Sequence, residues 1–105
     1  MRSRVSHWYA SDPTGNRVLA TVLAIRLVSP VRQTARLGDR AWHERINKLR
    51  EAATQVFSRY DGQLGTIGPE EIIGRFDGPA RAMRCGLALQ DVARSLGLDL
   101  AAGVQ

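Results

Sequence analysis

The stretch VLATVLAIRLV, residues 18–28, largely decides the fold that this sequence predicts. It is rich in β-branched and apolar residues on both faces, which is typical of a central strand covered on at least one side. Pro30 ends the strand, because proline has no N–H group to donate to a sheet. Arg26 is the exception, since a charge near the end of an apolar run needs a partner.

The length and composition are those of one small globular domain. The chain has 105 residues, of which 44% are hydrophobic. No stretch approaches the ~20 apolar residues that cross a bilayer, and the N-terminus lacks the apolar core of a signal peptide. We therefore expect a cytoplasmic protein without a membrane span. Cys85 is the only cysteine, which excludes an intramolecular disulfide and a cysteine-based metal site.

The charge of the chain is basic but not patterned. Fifteen Lys and Arg residues stand against ten Asp and Glu residues, for a formal net charge of +5. The basic residues are scattered among acidic ones, whereas nucleic-acid-binding proteins more often carry a basic run or stripe. We expect no nucleic-acid partner, and a basic nucleic-acid-binding module stays open only as an alternative.

The first half of the chain predicts two helical segments after the strand. Residues 1–17 are rich in turn formers and are predicted to be a flexible lead-in to a domain of residues 18–105. A short helical turn is predicted at 33–37 and a long helix at 40–60, with Asp39 as its cap. The apolar residues of the long helix follow the spacing of one buried face: Trp42, Ile46, Leu49, Ala53, Val56, Phe57 and Tyr60.

The second half predicts a hairpin, a helix and a last strand. Residues 63–67 and 71–76 form the hairpin around a Gly-Pro turn. Asp77 is predicted to cap a helix over 80–96, and residues 98–105 are predicted as a strand. The predicted core face of this helix comprises Ala82, Cys85, Leu89, Val92 and Leu96, widened by Met83 and Leu87.

The resulting order, β-α-β-β-α-β, is that of a ferredoxin-like α+β fold. Right-handed crossovers place both helices on one face of an antiparallel sheet and leave the other face open. An exposed apolar sheet face indicates a partner, so we expect a dimer through this open face. The side of the first strand that we consider too apolar to face water consists of Leu19, Thr21, Leu23 and Ile25.

Three segments carry a resemblance to a known family: VLATVL (18–23), LGDRAW (37–42) and FDGPARAMRCGLAL (76–89). With them, residues 17–105 resemble the catalytic domain of class III nucleotide cyclases, in particular bacterial adenylate cyclases. The resemblance implies a fold in which two metal ions, Mg²⁺ or Mn²⁺, are held by two aspartates and promote conversion of ATP to cAMP and pyrophosphate. It also implies that active sites form at dimer interfaces.

The first metal-binding aspartate of the family falls on an arginine in this chain. The family's Phe-Thr-Asp-hydrophobic-Val-Gly-Ser/Thr stretch aligns with residues 24–30, which puts Arg26 at the aspartate. A guanidinium is positive and has no acceptor, so it cannot ligate a divalent cation. The family's glycine, which lets the backbone approach the phosphates, becomes Ser29, and Pro30 after it has no N–H donor.

The second aspartate keeps a carboxylate but loses its flanking glycines. The family's Lys-Thr-x-Gly-Asp-Gly-Phe hairpin, counted back from the FDGP segment without a gap, puts Glu70 at the aspartate. Pro69 and Glu71 replace the glycines, and Thr66 stands where adenylate cyclases often have a purine-selecting lysine. One carboxylate alone makes a weak Mg²⁺ site. The family's remaining purine-selecting and transition-state-stabilising residues align beyond Gln105.

These substitutions lead us to expect a pseudoenzyme with no catalytic residue that we can name and no bound metal. It would act in cyclic-nucleotide signalling as a homodimer, or as a heterodimer with a cyclase-like domain, through the open sheet face. In this interpretation Arg26 pairs with Glu70 or Glu71 and so replaces the metal. Alternatively, Arg26 extends into solvent or binds a nucleotide phosphate. Two other readings of the chain also stay open: an adenylate cyclase that needs Mg²⁺ or Mn²⁺ and a complementing partner, or a product without a selected activity.

Overall fold

A computed structural model describes residues 7–11, 17–68 and 71–104 of the chain. From β2 onward, the order of elements confirms the predicted β-α-β-β-α-β arrangement, with two helices in the first crossover. The elements are β1 (His7–Ser11), β2 (Arg17–Leu27), α1 (Pro30–Leu37), α2 (Asp39–Arg59), β3 (Gln63–Ile67), β4 (Glu71–Phe76), α3 (Pro79–Ser95) and β5 (Leu100–Val104).

The central strand of the antiparallel sheet is β2, as its apolar sequence predicts. On one edge, Thr21 to Arg26 pair with β4, and β3 lies outside β4 with a register shift between Leu64 and Thr66. On its other edge, β2 pairs with β5 from Leu23 to Leu27. The core of the sheet therefore has the order β5-β2-β4-β3, which is the ferredoxin-like order.

Strand β1 was not predicted, because its segment was interpreted as part of a flexible lead-in. His7–Ser11 pairs with β2 from Thr21 back to Arg17. Thr21 also pairs with Phe76 of β4, so β1 must occupy the other edge of β2, end to end with β5. A five-residue strand between turn formers has too short a pattern to be recognised, and it is the ladder to β2 that defines it.

The helices pack on the face of the sheet that carries Leu23 and Ile25, both of which are buried. The expectation that this side of β2 needs a partner was therefore wrong, since the chain's own helices cover it. Gly74 makes the packing possible, because a Cβ there would lie 2.1 Å from the Phe57 ring. Phe57 in turn packs against Phe76, with ring centroids 5.4 Å apart.

The helix boundaries differ from the predictions mainly at their starts. α1 begins at Pro30, because a proline at the first helical position needs no hydrogen-bond partner. The predicted caps Asp39 and Asp77 are wrong. The residues that precede the first turns of α2 and α3 are Gly38 and Gly78, and neither helix has a side-chain cap. On α3, Met83 and Leu87 are exposed rather than part of the core; Gly86 and Ala93 are buried instead.

Cys85 lies in the core, as the predicted core face of the helix implies. It is fully buried on α3, and this burial raises the pKa of the thiol to about 12. The thiolate that reacts with oxidants is therefore scarce in the folded chain at neutral pH. Among the described residues, no helix is both long enough and apolar enough to cross a membrane.

Candidate functional site

The carboxyl end of β2 holds the ion pair that the sequence predicted. Arg26 and Glu71 are directly opposite each other in the β2–β4 ladder. The Arg26 Nε donates a hydrogen bond to Glu71 Oε2 at 2.8 Å. The prediction that Arg26 pairs with one of two glutamates is thus confirmed for Glu71. The other glutamate, Glu70, and its neighbour Pro69 lie outside the described residues.

The ladder geometry explains why these two side chains meet. The backbone N–H of Val28 donates to the carbonyl of Asp99, which precedes β5. Backbone groups alternate between the two edges of a strand, and no register shift interrupts β2. Arg26 therefore also directs its backbone groups toward β5. Arg26 and Glu71 form a non-hydrogen-bonded pair, the class whose Cα atoms are closest, about 4.5 Å apart.

Stability is not a sufficient reason for this ion pair. The side chain of Arg26 is 74% exposed and that of Glu71 is 36% exposed. An ion pair this accessible to water contributes at most about 1 kcal/mol. Its position at the end of the central strand therefore indicates more about the candidate site than its contribution to stability does.

The described residues at this strand end do not fit a divalent metal ion. Hard cations need several oxygen ligands, and here a guanidinium already neutralises the carboxylate of Glu71. Within the described ranges, no three side chains of His, Cys, Asp or Glu lie together. A positive side chain occupies the position where the family resemblance implies an aspartate. No catalytic step through a metal can be derived from these residues.

Gly68, which follows β3, is hydrogen-bonded on two sides. The Gly68 N–H donates to the Glu71 carbonyl at 2.7 Å, and Arg50 of α2 donates through Nη2 to the Gly68 carbonyl at 3.3 Å. Arg50 was not predicted, because nothing in the sequence of an amphipathic helix indicates which basic residue reaches a distant loop. Thr66, at the proposed purine-selecting position, pairs with Ile73 in the ladder.

Ser29 keeps the backbone conformation that a glycine would favour. It precedes α1 with φ of 45° and ψ of 63°, which is the left-handed region. An L-residue there costs roughly 1 kcal/mol relative to glycine. The family resemblance places a glycine at this position, and the left-handed conformation that Ser29 adopts is one that glycine favours. Pro30 follows as the first residue of α1 and offers no N–H group.

Gln33 is a buried polar residue of this region that the sequence did not reveal. It is 4% exposed. Its Nε2 donates to the carbonyls of Val28 and Asp99, and its Oε1 accepts from the Asp99 N–H at 2.9 Å. One side chain thus joins the loop after β2 to the loop before β5. Sequence gave no signal, because a glutamine in a short helix is usually exposed.

Replacing Gln33 with alanine is expected to destabilise the chain by about 2 kcal/mol, since three hydrogen bonds of a buried side chain are lost. Urea unfolding of the Gln33→Ala variant measures this. The matched control is Gln90→Ala, which removes a single 3.3 Å bond to the Leu100 carbonyl and should cost less than about 1 kcal/mol. Equal midpoints for the two variants would contradict the role assigned to Gln33.

The open face of the sheet is apolar at its centre and polar at its ends. Val22 is buried, and Ala24 and Ile73 are half-buried. The Arg26–Glu71 pair lies at one end. At the other end, Arg75 donates to Gln63 Oε1 at 3.0 and 2.7 Å. No described helix packs on this face.

Solved structures of known proteins superpose on this fold. The adenylyl cyclase CyaB from P. aeruginosa superposes with a TM-score of 0.69 at 14% identity, over 81% of this chain and 54% of that one. The guanylate cyclase domain of RhGC from Catenaria anguillulae, solved with GTP, gives 0.67 at 13% identity, over 81% and 54%.

The chain has the fold of class III nucleotide cyclase catalytic domains. A bacterial light-regulated adenylyl cyclase matches over 95% of this chain and 31% of its own, with a TM-score of 0.73 at 14% identity. Apart from this longer protein, the chain spans about half the length of the cyclases compared. The sequence itself matches no family model and no curated protein.

Proposed function

We propose that this chain is a cyclase-like domain that acts through protein contacts instead of forming cyclic nucleotides. The observation that carries the proposal is the Arg26–Glu71 ion pair at 2.8 Å. It occurs in a cyclase fold, at the strand end where the resemblance implies a metal-binding aspartate. The guanidinium supplies the positive charge between two strands that a metal ion would otherwise supply.

The loop around the ion pair supports the same function. A phosphate-binding loop uses free backbone N–H groups and the close approach that glycine allows. Here Ser29 adds a side chain at the glycine position, and Pro30 removes an N–H group. Gln33 also ties this loop to the one before β5. These features favour a closed, rigid loop over one that opens for a triphosphate.

The proposed mode of action is dimerisation through the open sheet face, either with a second copy or with an intact cyclase-like domain. Val22, Ala24 and Ile73 supply the apolar centre of this face. At one end of this face the charges of Arg26 and Glu71 already neutralise each other, so that end would bring no unpaired charge to the interface. At the other end, Arg75 donates to the neutral amide of Gln63 and keeps its charge.

An activity assay tests the proposal. The purified chain is incubated with ATP or GTP and either Mg²⁺ or Mn²⁺, and cyclic nucleotide is measured, with the CyaB catalytic domain as the positive control. The proposal predicts no product above the level without protein. Product that depends on metal and is lost in a Glu70→Ala variant would instead support an adenylate cyclase.

A further inference from the structure

The amino end of β2 extends beyond the strand that pairs with it. β4 pairs with β2 only as far as Thr21, where Phe76 is its partner. Among the described strands, Arg17–Ala20 therefore have a neighbour on one edge only, which is β1. β1 contacts little besides β2. Among the described residues, this end of the sheet is a ribbon of two strands, and such ribbons are at best marginally stable alone.

The ladder geometry shows which backbone groups of this ribbon lack a strand partner. Even-numbered residues of β2 direct their N–H and C=O groups toward the β5 edge, as the Val28–Asp99 bond shows. That edge is also the β1 edge. The odd-numbered residues Arg17 and Leu19 therefore direct their N–H and C=O groups to the opposite edge of β2. There they point into the space alongside β2 past the end of β4 at Phe76, here called the lane. No described strand fills that lane.

We propose that this edge of β2 pairs with the same edge of a second copy of the chain, antiparallel and around a twofold axis. In a twofold arrangement, the strand of each copy fills the lane that the described strands of the other copy leave open. The segment RVLA offers a β-branched residue and no proline or acid that would protect the edge. The outer strand β3, in contrast, carries a register shift at Gly65, and such irregularities discourage edge pairing.

The alternation of backbone groups between the two edges of β2 fixes the register of the paired strands. Arg17 of one copy must exchange both hydrogen bonds with Leu19 of the other, and this places Val18 opposite Val18 on the twofold axis. If the twofold axis passed beside any other residue of β2, Arg17 or Leu19 would have no hydrogen-bond partner in the second copy. Two β-ribbons then join into a four-stranded sheet, β1-β2-β2-β1, held by four new backbone hydrogen bonds.

Cysteine cross-linking tests this pairing in the full chain. The two Val18 residues would form a non-hydrogen-bonded pair, with Cα atoms about 4.5 Å apart, which lies within the Cα–Cα range of disulfides. Val18→Cys is therefore expected to oxidise to a disulfide-linked dimer. Two control variants place cysteine elsewhere: Arg84→Cys on the exposed surface of α3, and Gly103→Cys on the open sheet face, where an added Cβ meets nothing within 4 Å. Background from buried Cys85 is expected to be small.

The outcomes separate this inference from the proposed function. Efficient cross-linking of Val18→Cys alone supports the pairing. Cross-linking of Gly103→Cys alone would overturn the pairing and leave an open-face dimer. Amide exchange measured by NMR in the unmodified chain gives a second test. The Leu19 N–H should become protected as chain concentration rises, whereas a Leu19 N–H that exchanges freely in a dimer, or a chain that stays monomeric, would overturn the inference.

Discussion

An Arg26→Asp variant is expected to bind Mn²⁺, although the native residues described at that strand end do not fit a divalent cation. The new carboxylate would lie directly opposite Glu71 in the β2–β4 ladder, as a non-hydrogen-bonded pair with its side chains close together. The new carboxylate and that of Glu71 together make only a weak site, so a dissociation constant of roughly 0.1 to 1 mM is expected. Electron paramagnetic resonance of free Mn²⁺ measures this constant.

The same substitution should make stability depend on the metal. Without Mn²⁺, two like charges directly opposite each other destabilise the sheet by up to about 1 kcal/mol. With Mn²⁺ at ten times the dissociation constant, the folded variant is stabilised by about 1.4 kcal/mol. Its melting temperature should therefore rise with Mn²⁺, while that of the native chain should not.

Arg75→Asp is the matched control for this experiment. Arg75 lies on the same face of the sheet and undergoes the same change of charge, but its partner across the ladder is Val22. No carboxylate of a described residue is opposite it, so no Mn²⁺ site should form. Equal Mn²⁺ binding by both variants would mean nonspecific attraction and would contradict the geometry assigned to Arg26 and Glu71.

Gly74→Ala is expected to cause the largest loss of stability of any variant considered, about 3 kcal/mol, through overpacking of the core. An added Cβ would lie 2.1 Å from one Phe57 ring carbon and 2.9 Å from the Gln63 carbonyl oxygen. Phe57 is 1% exposed and packs against Phe76, so its ring has little room to move. Urea unfolding followed by circular dichroism gives the change in free energy.

Gly103→Ala provides the control for the Gly74 variant. Gly103 also lies in the sheet, opposite Ala24, but a Cβ there meets nothing within 4 Å. Its free energy of unfolding should change by no more than about 1 kcal/mol, and alanine is favoured over glycine in a strand. If both variants unfold at the native midpoint, the packing of α2 against β4 must differ from that described.

The sequence predicts the central architecture because its signals are local and repeated. The apolar run of β2, the amphipathic face of α2 and the Gly-Pro turn of the hairpin each specify one element. β1 was not predicted, because a strand of five residues is too short to show such a repeated pattern. Asp39 and Asp77 were assigned as caps by residue type alone, but capping depends on a backbone geometry that residue type does not determine.

The candidate site was only partly predictable. A carboxylate partner for Arg26 was predicted from its place in an apolar run, and the hairpin offers two. Which glutamate pairs with Arg26 depends on the register between β2 and β4, because a shift of one residue moves each side chain to the other face of the sheet. Gln33 and Arg50 contact the site across 66 and 18 positions of sequence, and no local pattern encodes such contacts.

Calorimetric titration of the native chain with ATP, in Mn²⁺ and again in a metal chelator, tests the central claim most directly. That claim is that Arg26 takes the place of the metal ion. It predicts no binding heat that depends on Mn²⁺, and none in the chelator. Saturable binding of ATP that requires Mn²⁺ would contradict it, because a working metal site would then exist beside the Arg26–Glu71 ion pair.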